Sequence, residues 1–157
     1  MPTPIDIRPI VREHFERVLD IEQRAFEADA WNLNHLEHFL TVPNCTARVA
    51  VAGRVVLGYV FYQMKPYSLF IANIAVDYEC RRKGIGSMLV DYLKDNLSPN
   101  KRVRMETVVR ETNVEAQLFF KAQGMQAVNT KRDYYDRVSD AAYVMRYAVP
   151  SEERQVG

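Results

Sequence analysis

Cysteine and long apolar runs are scarce in this 157-residue chain. The two cysteines, Cys45 and Cys80, lack the spacing of a metal-binding pair, and we expect both to be free thiols. No apolar run reaches the roughly 18 residues of a membrane-spanning helix. The first residues also lack the basic and then apolar layout of a secretory signal. We therefore expect a cytoplasmic protein without a disulfide framework or a membrane segment.

The chain also lacks an excess of charge of either sign. It has 21 basic and 20 acidic residues and a formal net charge of +1. This balance argues against a protein that coats nucleic acid, because such proteins bind phosphates through an excess of lysine and arginine. Histidine is rare as well, since only His14, His35 and His38 occur. All three fall in helical patterns, so we expect no metal site.

Apolar side chains, in contrast, are plentiful, and their spacing predicts a mixed α/β domain. They make up 48% of the chain, enough to form a sizeable core. We expect one domain over residues 1–150 and a polar tail over residues 151–157. The apolar spacing predicts seven strands and four helices in the order β-α-α-β-β-β-α-β-α-β-β. The strands are predicted over residues 5–8, 46–52, 55–63, 69–76, 101–110, 125–134 and 141–149.

The predicted helices have clear start and stop signals. The first ends near Phe26, and Asn32 and Asn113 are suited to cap the second and the fourth. The third is predicted over residues 85–97, and Gly124 is placed to end the fourth. We expect this last helix to carry Leu118, Phe119 and Ala122 on its apolar face.

The most informative segment is Arg81-Arg82-Lys83-Gly84-Ile85-Gly86-Ser87, which joins the apolar strand 69–76 to the third helix. The first N–H groups of a helix have no partner within it and carry partial positive charge. Glycine has no Cβ, so an anion can approach the backbone closely. With the basic side chains beside it, this loop predicts a site for a pyrophosphate.

Three alternatives for this loop fit the sequence less well. It could be an ordinary strand-to-helix turn with solvated basic residues. A dinucleotide-binding fold needs a third glycine where Leu89 stands, and a nucleoside-triphosphate loop needs a Gly-Lys-Ser/Thr ending that is absent. The strand before the loop, its basic residues and the amphipathic helix after it favour phosphate binding.

The loop resembles the Arg/Gln-x-x-Gly-x-Gly/Ala signature of the GNAT (GCN5-related N-acetyltransferase) superfamily. The resemblance extends over residues 21–145 and is strongest to bacterial ribosomal-protein alanine N-acetyltransferases. The segments that carry it are Ile21-Glu22-Gln23-Arg24-Ala25, Asn73-Ile74-Ala75-Val76-Asp77, Arg110-Glu111-Thr112-Asn113 and Arg132-Asp133-Tyr134-Tyr135. The resemblance implies a mostly antiparallel sheet of seven strands, splayed between strands 4 and 5 and flanked by about four helices.

The resemblance also implies acetyl-coenzyme A as the acetyl donor, without a metal. Backbone groups of one strand would bind the pantetheine arm, the glycine loop would bind the pyrophosphate, and an asparagine would contact the coenzyme. These residues are Ile74, Ala75 and Val76, then Arg82, Lys83, Gly84, Ile85, Gly86 and Ser87, and finally Asn113. Asn113 can also be a plain helix cap. Tyr134, Tyr135 and Glu27 would lie near the acceptor, although the tyrosines could simply pack in a hairpin.

The chain departs from the related alanine acetyltransferases at both proton-transfer positions. Val108 stands where they have a glutamate base, and Phe120 stands where they have a tyrosine acid. Glu106 shares a strand face with Val108, about 6.8 Å along the strand. We therefore predict Glu106 as the base, acting through water; a surface ion pair is the alternative role for it. Glu27 and Asp29, in the loop between the first two helices, are weaker candidates for the base.

The acceptor amine is the least determined part of the prediction. We expect the α-amine of a protein or peptide, held near Glu27 and the Tyr134-Tyr135 hairpin. A small-molecule amine is the alternative, and a non-catalytic domain that binds acetyl-coenzyme A is a third possibility. We expect no nucleic-acid partner, and the sequence leaves open a homodimer.

Overall fold

The computed structural model describes residues 3–131 and 141–150. It has the predicted mixed α/β architecture. The strands are β1 (Ile5–Pro9), β2 (Cys45–Ala52), β3 (Val55–Met64), β4 (Ser68–Val76), β5 (Arg104–Arg110), β6 (Gln126–Lys131) and β7 (Ala142–Ala148). The helices are α1 (Phe15–Phe26), α2 (Leu33–Thr41), α3 (Ile85–Lys94) and α4 (Val114–Ala122). Short 3-10 turns occupy Arg12–His14, Glu27–Asp29 and Tyr78–Cys80.

The seven strands have the hydrogen-bonded order β1-β2-β3-β4-β5-β7-β6, which confirms the predicted sheet. β4 and β5 are parallel, whereas β1–β2, β2–β3, β5–β7 and β6–β7 are antiparallel. The β4–β5 ladder runs from Ser68–Arg104 to Ile71–Thr107. β4 continues past this last pair to Val76.

The chain divides into two compact units. The first takes the residues up to Gln63 and those from Asn73 to Leu93, and the second takes residues 64–72 and the described residues from Lys94 onward. The core of the first unit contains Val18, Ile21, Leu36, Tyr59, Phe61, Ile85, Leu89 and Leu93. That of the second contains Leu69, Ile71, Met105, Val109, Phe120, Met125 and Met145. The expected single domain over residues 1–150 stays a prediction.

Two helix predictions need correction. α3 ends at Lys94 and not at residue 97, because the chain tightens there into a bond from the Leu97 N–H to the Lys94 carbonyl. On α4 the buried side chain is Phe120, whereas Leu118 is 61% exposed. The helix is capped by Asn113 as predicted, but its rotation about its own axis differs from the predicted one.

Candidate functional site

The predicted coenzyme segment begins on β4 of the first unit. Ile74, Ala75 and Val76 are its last three residues, and they lie beyond the end of the β4–β5 ladder. The strand end is fixed by a bond of 2.8 Å from the Asp77 N–H to the Leu57 carbonyl on β3. The hydrogen bond to β3 therefore fixes the backbone at the end of β4, where pairing with β5 has stopped.

Asp77 then sets the direction in which the chain leaves the strand. Its side chain is mostly buried and forms an ion pair with Arg17 of α1. It also accepts a hydrogen bond from the Glu79 N–H, which begins the 3-10 turn Tyr78–Cys80. Arg17 is held in turn by Asp20, at 2.9 Å. These contacts connect α1 to the start of the glycine loop.

The glycine loop has the backbone geometry of an anion site. Arg82 and Gly84 both have positive φ, at 66° and 78°. The Met88 N–H donates to the Gly84 carbonyl at 2.9 Å, so the amides of residues 85–87 form the first turn of α3. A Cβ placed on Gly84 would meet no atom within 4 Å. A phosphate can therefore approach this backbone freely, beside the exposed Arg82 and Lys83.

A small cleft lies beside the chain segment that follows β4, within the first unit. Its lining comes from α1 and from the chain that follows β4: Ile21, Arg24, Ala25, Val76, Asp77, Tyr78 and Arg81. Arg81 lies over the Tyr78 ring, 5.4 Å from its centroid. The cleft therefore combines apolar walls with two guanidinium groups.

Glu22 is a buried acid that the sequence prediction does not assign to the site. Its side chain on α1 is 2% exposed and accepts three hydrogen bonds. The donors are the Tyr59 hydroxyl at 2.5 Å, the Asn73 amide at 2.7 Å and the Trp31 N–H at 3.0 Å. Burial, together with the nearby Glu22 carboxylate, raises the pKa of Tyr59 well above its usual range. The sequence does contain a signal for this buried acid, because Glu22 falls on the apolar face of α1, four residues after Val18.

Glu27, which is predicted to contact the acceptor substrate, follows α1 in an uncommon backbone conformation. Its φ is 49° and its ψ is −113°, and its side chain is exposed. Its carbonyl accepts a bond from the Ala30 N–H at 3.1 Å. We call residues 27–32 the α1–α2 loop. Glu27 lies at the start of this loop, and Asn32, which caps α2 through the His35 N–H at 2.9 Å, lies at its end.

Aromatic rings pack around the C-terminal part of the α1–α2 loop. The Trp31 ring stacks on His35, with centroids 4.2 Å apart and planes 12° apart. It also contacts Phe39 at 5.3 Å and the buried Phe61 of β3 at 5.1 Å. Trp31 is thus held through its ring as well as through its backbone N–H.

Glu106, the predicted base, lies on β5 in the second unit. It is paired with Arg146, its direct partner in the β5–β7 register. Nε and Nη2 of Arg146 lie 2.8 and 2.7 Å from Oε2 of Glu106. Both contacts use the same carboxylate oxygen. The strand face predicted to be shared by Glu106 and Val108 is confirmed, because both are half-buried whereas Met105, Thr107 and Val109 are buried.

Asn113 caps α4 through a bond of 3.0 Å from the Ala116 N–H. Its predicted contact with the coenzyme stays a prediction. Tyr134 and Tyr135 lie outside the described residues. Among residues 3–131 and 141–150, no three His, Cys, Asp or Glu side chains are placed to hold a metal ion. Within the same ranges, no helix is long and apolar enough to cross a membrane.

Comparison with known proteins supports the motif. The profile of the acetyltransferase (GNAT) family matches residues 11–125. A relative from Methanocaldococcus jannaschii, described as an uncharacterized N-acetyltransferase, is 29% identical over 143 residues, which are 89% of this chain and 90% of that protein. The ribosomal protein bS18 alanine N-acetyltransferase of Salmonella typhimurium is 35% identical over 63 residues, which are 40% of this chain and 43% of that protein.

The fold agrees with this family. The crystal structure of the ribosomal-protein-S18-alanine N-acetyltransferase from Escherichia coli superposes with a TM-score of 0.80, at 21% identity. The match covers 93% of this chain and 94% of that one. At this identity the likeness establishes the fold alone. With a family match over most of its length, the chain belongs to the acetyltransferase (GNAT) family and is an N-acetyltransferase.

Proposed function

We propose that this enzyme transfers acetyl from acetyl-coenzyme A directly to the α-amine of a polypeptide. The observation that carries the coenzyme part is the glycine loop after β4. Its positive-φ residues and the first turn of α3 present backbone N–H groups in the open space beside Gly84. In this proposal residues 82–87 bind the pyrophosphate, and Ile74, Ala75 and Val76 bind the pantetheine arm like an added strand.

The acceptor is proposed from chemistry and from one relative. An α-amine has a pKa of about 7.7–8.0, whereas a lysine side chain has one of about 10.4. At neutral pH the α-amine is therefore far more often unprotonated and ready to attack. The Salmonella relative is named for acetylating an alanine of a ribosomal protein. Glu27 on the α1–α2 loop, with Tyr134 and Tyr135, is proposed to contact the acceptor.

The proposed reaction is a direct displacement. The amine nitrogen attacks the thioester carbonyl carbon, a C–N bond forms and the C–S bond breaks. The amine proton passes through water to Glu106, and the leaving thiolate takes up a proton from solvent. Oε1 of Glu106 would accept the proton, because Oε2 is already bonded to Arg146. Holding amine and thioester together contributes much of the rate, since effective molarities reach about 10⁵–10⁸ M.

A panel of acceptors tests the substrate class. Short peptides with free N-termini would be compared with the same peptides blocked at the N-terminus and carrying one lysine. Polyamines, aminoglycosides and free amino acids complete the panel. We expect acetyl transfer to free N-termini, and loss of that transfer when they are blocked. Acetylation confined to small amines would contradict the peptide proposal while leaving the coenzyme site intact.

A further inference from the structure

We propose that Glu22 is a positioning residue whose buried carboxylate fixes the α1–α2 loop for acceptor binding. The inference rests on the proposed function, because that loop is the proposed acceptor contact. It adds a residue for which neither the glycine signature nor the catalytic pattern provides a role. The proposal depends on how the two oxygens of one carboxylate are used.

Each oxygen of Glu22 holds a different part of the first unit. Oε1 accepts from the Tyr59 hydroxyl of β3 at 2.5 Å and from the Asn73 amide of β4 at 2.7 Å. Oε2 accepts from the Trp31 N–H of the α1–α2 loop at 3.0 Å. The carboxylate therefore joins the sheet, through one oxygen, to the loop, through the other. Asn73 directly precedes the proposed pantetheine strand.

The burial of Glu22 makes these bonds strong. A carboxylate removed from water is costly unless hydrogen bonds replace its hydration. None of the three donors carries a charge, so they solvate the carboxylate without neutralising it. Hydrogen bonds to charged groups are roughly twice as strong as those between neutral groups. If the loop moved away from Glu22, the buried carboxylate would lose the hydrogen bond from the Trp31 N–H. Such a movement is therefore unfavourable.

Residues 27–29 of the loop form a short 3-10 turn, closed by a hydrogen bond from the Ala30 N–H to the Glu27 carbonyl. Glu27, Ala28 and Asp29 are exposed, and Glu27 has a φ of 49° that few non-glycine residues adopt. Further along the loop, Trp31 is anchored through its N–H, which donates to Glu22, and through its ring, which packs against Phe61. Fixing Trp31 therefore limits the positions that Glu27 can take, four residues earlier.

Two conservative substitutions separate the loop contact from the sheet contacts. Glu22→Gln keeps the shape and one acceptor oxygen. If that oxygen stays on Tyr59 and Asn73, the new NH₂ group faces the Trp31 N–H, and two donors meet. Tyr59→Phe removes a sheet donor and leaves the loop contact in place. It is the matched control, because it also disturbs the same buried network.

The chain contains a single tryptophan, and it is Trp31, so its fluorescence reports on this loop directly. In Glu22→Gln we expect red-shifted emission and stronger acrylamide quenching, with unchanged far-ultraviolet circular dichroism. We expect the KM for the acceptor to rise by roughly tenfold or more, the equivalent of one charged hydrogen bond. The KM for acetyl-coenzyme A should stay within about twofold of the wild-type value, because the lost hydrogen bond holds the loop proposed to contact the acceptor. Tyr59→Phe should match the wild type in quenching and in acceptor KM.

The proposal is overturned if Glu22→Gln folds and leaves both Trp31 quenching and acceptor KM at wild-type values. Equal changes in Glu22→Gln and Tyr59→Phe would also overturn it, because they would indicate a general loss of packing. If Glu22→Gln does not fold, hydrogen exchange of the wild type decides. The Trp31 amide should then exchange more slowly than those of Ala28 and Asp29, and an unprotected Trp31 amide overturns the proposal. Fluorescence and exchange need no acceptor, so they stand even if the peptide proposal fails.

Discussion

Gly58 of β3 lies so close to β4 that a Cβ built on it would be 2.9 Å from the carbonyl oxygen of Ala75. The same Cβ would lie 3.3 Å from side-chain carbons of Val76 and Ile85. Ala75 and Val76 belong to the proposed pantetheine strand, and Ile85 begins the helix whose first turn is the proposed pyrophosphate site. The absence of one methyl group thus lets β3, the end of β4 and the start of α3 pack closely together.

Gly58→Ala should therefore weaken coenzyme binding as well as stability. The new methyl group must displace backbone, and overpacking of this kind costs about 1–3 kcal/mol. We expect the KM for acetyl-coenzyme A to rise by about tenfold, the equivalent of roughly 1.4 kcal/mol. Steady-state kinetics with varied acetyl-coenzyme A measures it.

Gly53→Ala is the control for Gly58→Ala. Gly53 has a φ of 63° in the β2–β3 turn, so alanine is strained there, but its Cβ would meet only a Thr3 methyl at 4.0 Å. We expect a lower melting temperature and an unchanged KM. If Gly58→Ala also lowers only the melting temperature, Gly58 has no particular role in shaping the coenzyme site.

Gly58 also illustrates what a sequence can and cannot predict. Local sequence patterns predict the strands, the glycine loop and the helix caps Asn32 and Asn113. Each pattern extends over a few alternating residues or one to three helical turns, so it can be recognised in the sequence. The need for glycine at position 58 arises from Ala75, a neighbour in space and not in sequence. No periodicity encodes that contact.

The side-chain networks escape sequence prediction for the same reason. The donors to Glu22 come from positions 31, 59 and 73, and the partner of Glu106 is forty positions away in the sequence. The predicted rotation of α4 is wrong because Phe119 and Phe120 are adjacent, and helical spacing alone does not decide which of them faces the core. The structure buries Phe120 and leaves Leu118 exposed.

The glycine loop gives a second prediction, on ligand-linked stability. A ligand at 100 times its Kd stabilises a protein by about 2.7 kcal/mol. For a chain of this size that raises the Tm by roughly 5–10 °C, at about 2–4 °C per kcal/mol. We expect this shift in thermal melts of the wild type with acetyl-coenzyme A. Gly84→Glu should abolish it, because the carboxylate would occupy the proposed phosphate position.

Gly84→Ala is the matched control for this prediction. Its Cβ enters open space, so the variant carries the cost of a positive φ, about 1–2 kcal/mol, without a charge. It should melt lower than the wild type but keep most of the ligand shift. A full shift in Gly84→Glu would place the pyrophosphate elsewhere.

The buried Tyr59 predicts how stability changes at alkaline pH. Its pKa is raised in the folded protein, chiefly by burial and further by Glu22. Above about pH 10 the unfolded chain loses the tyrosine proton and the folded one keeps it. The contribution of Tyr59 is therefore complete below about pH 10 and is lost as the pH rises, by up to about 1.4 kcal/mol per pH unit.

Urea unfolding of the wild type and of Tyr59→Phe, between about pH 9 and about pH 11, measures this contribution. The free energy of unfolding of the wild type should fall more steeply than that of the variant. All other titrating groups are common to the two proteins and cancel in the difference. Parallel curves would mean that the Tyr59 hydroxyl is not held in the fold as the structure has it.

The last prediction separates the two roles open to Glu106. A general base contributes about 10²–10⁴-fold to the rate. If Glu106 is the base, Glu106→Gln should lower kcat by about a hundredfold or more while the thermal shift with acetyl-coenzyme A persists. Arg146→Gln breaks the same ion pair from the other side and leaves the carboxylate in place. It should therefore retain kcat within about tenfold, below the smallest effect of losing a base.

The opposite role gives a different pattern. The two side chains are 21% and 37% exposed, and partly exposed pairs of this kind contribute about 0–1 kcal/mol to stability. If Glu106 serves only the ion pair, both substitutions should lower the melting temperature slightly, and the two variants should have similar kcat values. Val108→Glu then becomes the informative variant, because it puts a carboxylate at the position where the sequence resemblance implies the base. A gain in kcat for that variant, together with a small loss for Glu106→Gln, would indicate that water and not Glu106 is the base in the native enzyme.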